Sequence, residues 1–301
     1  MRKLLLALLL ALLTAGQAGA ELKIVATLTE IGALAEELGG ERVSVQSLAR
    51  GDEDPHAIAA KPSHSRRLSR ADLLVYNGME LEIGWLPLLV EGARNPRVLA
   101  GSPGDLDLSQ FIAPLEVPEH VDRSMGDVHP EGNPHYTVDP GLYPDLARGL
   151  SARLVELDPA GADYYAERLE VFLAHWERHM GDWTRRLEPL RGERLVAYHQ
   201  MWAYPAARFG FEIAGHVEDR PGIPPTPRHL LELERLVESE GIRLLVYSDL
   251  VRSGGPERFA ERAGCRALQL PQSLGSREGA GDLVSWFERW VAALETFAEE
   301  D

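Results

Sequence analysis

Two blocks of alternating strand-like and helix-like segments, separated by a long helical stretch, constrain the fold of this chain most strongly. Each block contains four apolar runs, at 22–27, 43–45, 73–76 and 98–100 in the first and at 194–198, 212–217, 242–247 and 266–270 in the second. Amphipathic segments with helical spacing lie between these runs. Such alternation is typical of parallel sheets that are covered by helices on both faces. The sequence therefore predicts an α/β protein with two four-stranded parallel-sheet lobes.

The stretch between the two blocks is helical throughout. Apolar residues at helical spacing predict one helix through 146–154 and a second helix from Pro159 to about Leu190. At 1.5 Å per residue the second helix would be about 45 Å long, which is more than a crossover between neighbouring strands requires. We interpret residues 159–190 as a rigid linker helix between an N-terminal lobe, 21–158, and a C-terminal lobe, 191–301, with a cleft between them. The alternative is a long surface helix of the second lobe.

The first twenty residues have the pattern of a cleavable export signal. Two basic residues precede an apolar run at 4–13, and Ala18-Gly19-Ala20 forms a small-residue cleavage site, so the mature chain is expected to begin at Glu21. The apolar run is too short to span a membrane. No cysteine stands at the cleavage site, which favours a free periplasmic protein over a lipid-anchored one.

Charge and cysteine content narrow the classes of partner. Without the signal, 29 basic residues remain against 47 acidic ones, a net charge of −18. This acidity argues against nucleic acid and anionic membranes as partners and is compatible with a cationic ligand, although solubility alone would also explain it. The single cysteine, Cys265, excludes an internal disulfide and is expected to be a buried, unreactive thiol.

Three histidines are expected at the same end of the two sheets. His135 lies in the segment 132–140, which two prolines stiffen, while His56 follows the second strand through an acidic loop and His199 directly follows the strand at 194–198. Ligands of open parallel sheets bind beyond the carboxyl ends of the strands, so the three imidazoles should face the cleft. Neutral imidazole is a common nitrogen ligand for zinc. The sequence therefore predicts a metal site.

Three motifs carry a resemblance to a known protein family. They read Asp54-Pro55-His56 followed by Lys61-Pro62-Ser63, Gly132-Asn133-Pro134-His135 followed by Asp139-Pro140, and Tyr198-His199 after an apolar strand. They resemble the metal-ligand motifs of the solute-binding proteins of ABC importers for zinc and manganese, and the resemblance covers essentially the whole mature chain. It implies that His56, His135 and His199 are metal ligands. It also implies that the protein holds one divalent ion between rigid lobes and delivers it to an ABC permease.

A departure from the family pattern leaves the fourth ligand open. Family members often carry a carboxylate ligand in the loop after the last strand, whereas residues 270–275 here contain Gln272 and no acid. Asp219 and Asp249 both follow predicted strands, so either carboxylate could face the cleft. We favour Asp219 because its proline-rich loop restricts the side chain, with Asp249 or water as alternatives. Asp219 could instead pair with Arg220 or another surface base.

The loop before the central motif carries several acidic residues and two histidines. They are Glu116, Glu119, His120, Asp122, Asp127 and His129. Zinc-binding members of the family can carry a long histidine tract at this place. We interpret this sparser version as a solvated loop, with a weak metal-capture site as the alternative.

The predicted donors bear on which metal is bound. Three imidazoles with at most one carboxylate suit zinc, whereas manganese sites usually carry more oxygen ligands. We therefore expect Zn²⁺ as the transported ligand, with manganese or iron(II) as alternatives in the same fold. Imidazole must be neutral to coordinate, so affinity should weaken below about pH 6.

Other functional classes receive less support from the sequence. A secreted zinc hydrolase also uses three protein ligands and an open position, but no HExxH helix or acid within a ligand motif is present. An extracellular adhesion module would be expected to show repeats or an exposed apolar stripe. We therefore expect a binding protein, not an enzyme, that is monomeric and works with an ABC importer permease, with a periplasmic metallochaperone as an optional partner.

Overall fold

The computed structural model describes residues 21–121, 125–252, 254–276 and 281–299. The predicted export signal at 1–20 and Asp122 of the histidine-bearing loop lie outside these residues. Within them, the chain forms two four-stranded parallel sheets with helices against them. The predicted α/β architecture is therefore confirmed.

The first sheet is built from the N-terminal third of the chain. Its elements are β1 (Leu22–Ala26), α1 (Thr29–Gly39), β2 (Val43–Ser47), α2 (Pro62–Leu68), β3 (Leu73–Tyr76), α3 (Leu86–Ala93) and β4 (Asp105–Asp107). The strand order is β2-β1-β3-β4. Ile24 of the central strand is paired with Val45 on one side and Leu73 on the other. Residues 24–26 are buried on both faces, which explains why β1 reads as a continuous apolar run.

The rest of the chain forms two helices and then a second sheet with the same topology. The elements are α4 (Tyr143–Leu157), α5 (Ala162–Arg186), β5 (Arg194–Ala197), α6 (Ala203–Phe209), β6 (Glu212–His216), α7 (Pro227–Glu240), β7 (Leu244–Ser248), α8 (Gly255–Ala263), β8 (Arg266–Leu270) and α9 (Leu283–Glu299). The strand order is β6-β5-β7-β8. In both sheets the chain first extends to one side of its opening strand and then crosses to the other. The carboxyl ends of β1 and β5 are therefore the places where a ligand is expected.

The fourth predicted strand, at 98–100, is wrong. Pro96–Val98 forms a short 3₁₀ helix, because Pro96 opens a helical turn and the Asn95 side chain accepts a hydrogen bond from the Arg97 amide at 3.1 Å. The edge of the sheet is formed instead by Asp105–Asp107, which pairs with β3. Only Leu106 of that strand is buried, so a three-residue run with one apolar residue gave no periodic signal.

The long helix α5 is shorter than predicted and contacts elements of both halves of the chain. Its 25 α-helical residues, about 37 Å at 1.5 Å per residue, are flanked by the 3₁₀ turns Pro159–Gly161 and Glu188–Leu190. Near its start, Arg168 Nε donates to the Glu37 carbonyl of α1 at 2.7 Å. Near its end, the Arg186 guanidinium lies 2.7 Å from a Glu295 carboxylate oxygen of α9. The interpretation of 159–190 as a linker between two lobes remains a prediction.

An aromatic cluster formed by α4, α5 and α9 joins the two halves. Tyr143, Trp176, Trp183 and Phe287 pack with ring centroids 5.0–5.7 Å apart. They belong to one continuous hydrophobic core that extends from the first sheet to α9. Aromatic side chains bury large areas, and their offset and edge-to-face contacts add to that stabilisation. The position of one sheet relative to the other is thus fixed by packed core residues.

Two further observations concern segments singled out in the sequence. The Cys265 thiol is half-buried and free, and burial raises its pKa to about 11, which agrees with an unreactive thiol. None of the described helices combines the length and the apolar character of a membrane span.

Candidate metal site

Three histidine side chains from separate parts of the chain converge between the carboxyl ends of the sheets. His56 lies in the 3₁₀ turn Pro55–Ala57, His135 begins the 3₁₀ turn His135–Val138, and His199 follows β5. The ring centroids are 5.1 Å apart for His56 and His135, 5.2 Å for His135 and His199, and 5.8 Å for His56 and His199. One ring nitrogen from each lies within 4.8 Å of the others. A tetrahedral ion with bonds of about 2.0–2.1 Å would place such nitrogens about 3.4 Å apart, so small movements suffice to close the group on an ion.

Two of the histidines are held by the same local device, an Asx-Pro-His turn. Asp54 Oδ1 accepts hydrogen bonds from the His56 amide at 3.0 Å and from His56 Nδ1 at 2.9 Å. Asn133 Oδ1 does the same for the His135 amide at 3.0 Å and for His135 Nδ1 at 2.8 Å. The proline between the two residues restricts the backbone, so one side-chain oxygen orients both the turn and the imidazole.

The third histidine is held across the second sheet. His199 lies just beyond β5, whose extension pairs with β7 through the Tyr198 amide and the Val246 carbonyl at 2.9 Å. Its Nδ1 lies 2.7 Å from Glu218 Oε2, and the same oxygen accepts from the Gly222 amide at 3.0 Å. Glu218 follows β6, so the neighbouring strand end positions this ring.

Each of the three rings therefore turns its Nε2 toward the others. A carboxylate oxygen only accepts hydrogen bonds, so Nδ1 of His56 and His199 must carry the proton, which leaves the lone pair of the neutral ring on Nε2. Asn133 is oriented likewise, because its Nδ2 donates to Glu116 Oε2 at 2.7 Å. Among the described residues, Nε2 of His56 and of His135 is buried without a hydrogen-bond partner. Converging unpaired lone pairs are what a metal ion requires.

The electrostatics of the site favour a neutral His135 and a positively charged ligand. Burial, together with the neighbouring His56, His199 and His129, holds the pKa of His135 well below its ordinary value. Burial alone would raise the pKa of Asp54, but its hydrogen bond and its charge interaction with His56 lower it, so the carboxylate stays ionised. Glu218 stands in the corresponding place behind His199.

The space beside these rings has the size of an ion rather than of an organic substrate. A cavity of about 40 Å³ is lined by residues that include His129, His135 and His199. That volume admits an ion or a few water molecules. A larger groove of about 420 Å³ lies elsewhere, along β1, β2 and α2, but its walls carry Lys23 and three arginines that would repel a metal cation.

The interpretation of the histidine-bearing loop as solvated is wrong for His129. His129 lies with its ring centroid 5.5 Å from that of His56, and its Nε2 is buried. Burial and the neighbouring His56 and His199 lower the pKa of His129 to about 4. Glu116, with φ of 52°, accepts hydrogen bonds from Asn133 and from Gln200 Nε2 at 3.0 Å. Glu116 stays exposed while it accepts these bonds, and His120 is exposed as expected.

Neither candidate carboxylate belongs to the close group of imidazole nitrogens. Asp219 is about half exposed, and its Oδ1 lies 3.8 Å from His229 Nδ1. Asp249 Oδ1 accepts from the Gln272 amide at 3.0 Å. Among the described residues the close group consists of His56, His135 and His199 alone, so the assignment of Asp219 as fourth ligand stays a prediction without support from its position.

Sequence reasoning named the three histidines but missed the groups that orient them. For Asp54 and Asn133 a signal was present, since both motifs place an Asx residue two positions before the histidine with proline between. Glu218 had no such signal, because it lies 19 residues from His199 and meets it only through strand pairing. His129 was visible only as a loop histidine, and its burial depends on the loop conformation.

Comparisons with known sequences agree on one family. Residues 24–297 match the family model described as zinc-uptake complex component A periplasmic, ZnuA. The chain is 29% identical over 213 residues to the manganese-binding lipoprotein MntA of Halalkalibacterium halodurans, a match that covers 68% of this chain and 65% of that protein, less than two thirds of its length. It is 24% identical over 240 residues to the high-affinity zinc uptake system protein ZnuA of Yersinia pestis, covering 73% of each.

Solved structures of similar proteins share the fold. A ZnuA deletion mutant with zinc bound superposes with a TM-score of 0.75 at 25% identity, covering 92% of this chain and 96% of that one. A manganese-bound periplasmic metal binding protein from Candidatus Liberibacter asiaticus superposes with a TM-score of 0.76 at 18% identity, covering 92% and 99%. At that identity, the second likeness concerns the fold alone.

Proposed function

Because this chain belongs to the ZnuA family of periplasmic zinc-uptake components, we propose that it captures one divalent metal ion, zinc by preference, and delivers it to an ABC importer in the membrane. The observation that carries the proposal is the convergence of His56, His135 and His199, whose Nδ1 atoms are each engaged by an acceptor while Nε2 points inward. His56, His135 and His199 are the proposed ligands. The ion is the cargo of the protein and not a resident cofactor.

The donor set supports zinc over manganese. Three neutral imidazoles are borderline-soft nitrogen donors, which suit Zn²⁺, whereas Mn²⁺ prefers sites richer in carboxylate and water oxygen. Relatives of this chain are named for either metal, zinc in one case and manganese in another. Manganese or iron(II) in the same site is the alternative, and a direct competition between metals distinguishes them.

The geometry also supports binding without catalysis. A hydrolytic zinc site needs a free base that activates the bound water. The carboxylates nearest the three rings, Asp54 and Glu218, already accept hydrogen bonds from His56 and His199 and thus orient ligands. The family to which the chain belongs is one of solute-binding proteins, and we propose that this member is likewise not an enzyme.

The expected cellular setting follows from the family and from the predicted signal. The matching family is described as periplasmic, and the related MntA is a lipoprotein. We propose a cleavable signal at 1–20, a free periplasmic protein and a permease of the ABC type as its partner. A monomeric state and an exchange of metal with a periplasmic chaperone are further parts of this proposal.

The central test is metal content and affinity. Protein purified from the periplasm without added metal is expected to carry close to one zinc per chain, and calorimetric titration of the metal-free protein should show tight, stoichiometric zinc binding. Competition with manganese is expected to favour zinc. Tighter manganese binding would overturn the metal preference, and a protein that binds neither ion would overturn the proposed function.

A variant pair ties the binding to the proposed ligands. His135→Ala should weaken zinc affinity by orders of magnitude, while His175→Ala, which changes an exposed histidine on α5, should bind as the wild type does. Circular dichroism of both metal-free variants should match that of the wild type. Equal affinity of the two variants would exclude His135 as a ligand.

A further inference from the structure

Members of the family often have a carboxylate ligand in the loop after the last strand, and this chain has none there. The segment after β8 carries Gln272, whose Oε1 accepts a hydrogen bond from Ser248 Oγ. Three imidazoles alone leave a tetrahedral ion one ligand short. We propose that His129 supplies the fourth ligand, an inference that rests on the proposed function.

The position of His129 is the first support. Its ring centroid lies 5.5 Å from that of His56, within the 5.1–5.8 Å that separate the three proposed ligands from one another. It lines the same small cavity as His135 and His199. His129 is thus the next imidazole outward from the close group, on the side of His56.

The state of its Nε2 atom is the second support. Nε2 of His129 is buried without a hydrogen-bond partner among the described residues, the same condition as Nε2 of His56 and His135. A backbone interaction with Met79 partly offsets the lowering of the pKa of His129. His129 therefore resembles His56 and His135 in having a buried Nε2 that no described residue engages.

The backbone around His129 is held from both halves of the molecule. The Asp127 amide donates to the Pro221 carbonyl at 2.9 Å, and a Cβ at Gly126 would come within 2.3 Å of the same oxygen. On the other side, Met79 has φ of 52°, an uncommon conformation for a side-chain-bearing residue. This anchoring restricts the ring before an ion arrives, which lowers the entropic cost of binding.

The inference assigns the fourth position to nitrogen, which has a spectroscopic consequence. Cobalt(II) substitutes for zinc as a visible probe, and its absorption bands depend on whether the fourth donor is nitrogen or oxygen. X-ray absorption of the zinc-loaded wild type should fit four imidazole nitrogens. His129→Ala, saturated with cobalt(II), should show a changed spectrum because water takes the vacant position.

Affinity supplies a second readout with a matched control. His129→Ala should bind zinc about 10- to 100-fold more weakly, whereas His120→Ala, an exposed histidine of the same loop, should bind as the wild type does. His129→Asp, which keeps a metal-binding side chain, should recover part of the lost affinity. Thermal unfolding of the metal-free variants detects any loss that comes from folding.

The outcomes separate this inference from the function on which it rests. A wild type that binds no zinc would overturn the proposed function. A wild type that binds zinc, together with a His129→Ala variant of unchanged affinity and cobalt spectrum, would overturn only the assignment of His129. Weaker binding by Asp219→Ala or Asp249→Ala, with His129→Ala unaffected, would assign the fourth position to that carboxylate.

Discussion

Asn133 holds a proposed metal ligand in place without being a ligand itself. Its Oδ1 holds the amide and Nδ1 of His135, while its Nδ2 donates to Glu116 Oε2 and to the Gln200 carbonyl at 2.9 Å. Its own carbonyl accepts from the Tyr204 hydroxyl at 2.8 Å. The amide thus connects a proposed ligand to both halves of the molecule.

Asn133→Ala should therefore weaken zinc binding without unfolding the protein. Loss of the acceptor frees the His135 ring to rotate and to change tautomer, and the expected cost is about 10- to 100-fold in affinity, measured by calorimetry. Asn95→Ala is the matched control, because Asn95 is equally buried, at 7% exposure against 6%, but bonds to the Leu68 and Ala71 carbonyls away from the site. That control should lower stability and leave affinity unchanged. The opposite pattern would contradict the role given to Asn133.

His216, at the end of β6, gives the metal-free protein a pH dependence of known sign. Burial, with smaller contributions from His199 and His229, lowers the pKa of His216 to about 4. Between this value and its ordinary pKa of about 6.5, the unfolded chain binds the proton and the folded one does not. The free energy of unfolding therefore falls as the pH is lowered through this window.

His216→Gln should remove this contribution. Both proteins are compared without metal at pH 8 and pH 5.5. Over this range the free energy of unfolding, measured in urea, should fall by about 1 kcal/mol less for the variant than for the wild type. The two proteins must be compared because buried Glu82 has an effect of the opposite sign. Burial raises the pKa of Glu82 to about 7, so its contribution to the free energy of unfolding is lost as the pH rises from about 4.5 to 7. His120→Gln serves as the exposed control, and identical pH profiles for wild type and His216→Gln would contradict this account.

Some residues of the site could be predicted from the sequence and others could not. The histidines His56, His135 and His199 could be predicted because strand ends of parallel sheets meet at one edge. Glu218 and His129 could not, since both reach the site through long-range packing. Asp219 satisfied the same strand-end rule and yet lies beside His229, because the rule fixes the edge of the sheet and leaves the side-chain direction in a loop undetermined.

Secondary-structure elements could be predicted where local signals and periodicity agreed. Helix α7 runs from Pro227 to Glu240 and has clear local signals at both ends, with the Thr226 side chain accepting from the His229 amide and Gly241 at φ of 65°. Strand β7 begins later than predicted because the Ile242 amide still bonds to Val237 of that helix. Strand β4 was missed because it forms by pairing with β3, while its own residues show no strand-like apolar pattern.

Two mid-helix glycines should respond in opposite ways to the same substitution. A Cβ at Gly149 of α4 would lie 2.3 Å from the Phe111 ring, whereas a Cβ at Gly181 of α5 meets nothing within 4 Å. Alanine gains about 1 kcal/mol of helix propensity over glycine, but overpacking costs about 1–3 kcal/mol. Gly181→Ala should therefore stabilise the protein and Gly149→Ala should destabilise it by about 1 kcal/mol in urea unfolding.

A second change tests the cause of the Gly149 effect. Phe111→Leu removes the ring atoms that the new methyl would meet, so the double variant should lose less stability than the two single changes added together. Simple additivity would show that the cost of Gly149→Ala has another origin.

At the scale of the whole molecule, the shared core argues against a hinge. Tyr143, Trp176 and Phe287 join both halves in one packed cluster, and a Cβ at Gly51 would come within 2.3 Å of the Leu274 carbonyl across the cleft. The Thr29 hydroxyl donates to the same carbonyl at 2.7 Å. Separating the halves would break these contacts together.

Zinc loading should therefore leave the overall dimensions unchanged. Small-angle X-ray scattering should give a radius of gyration of about 19 Å or slightly more for both metal-free and zinc-loaded protein, as expected for a compact chain of this length. His135→Ala, measured with and without zinc, is the control for nonspecific effects of the metal. A clear contraction of the wild type on zinc addition would show domain closure and contradict the rigid arrangement.

The neutral imidazoles that line the site have an electrostatic consequence. Imidazole binds a metal in its neutral form, so a captured divalent ion brings two positive charges into the cleft that its nitrogen ligands do not cancel. Asp54 and Glu218 stand one ring away, behind His56 and His199, and offset this charge only from a distance. Empty and loaded protein therefore present different potentials at the mouth of the cleft while keeping one shape. The ABC permease proposed as the partner would recognise the loaded protein by that change of field.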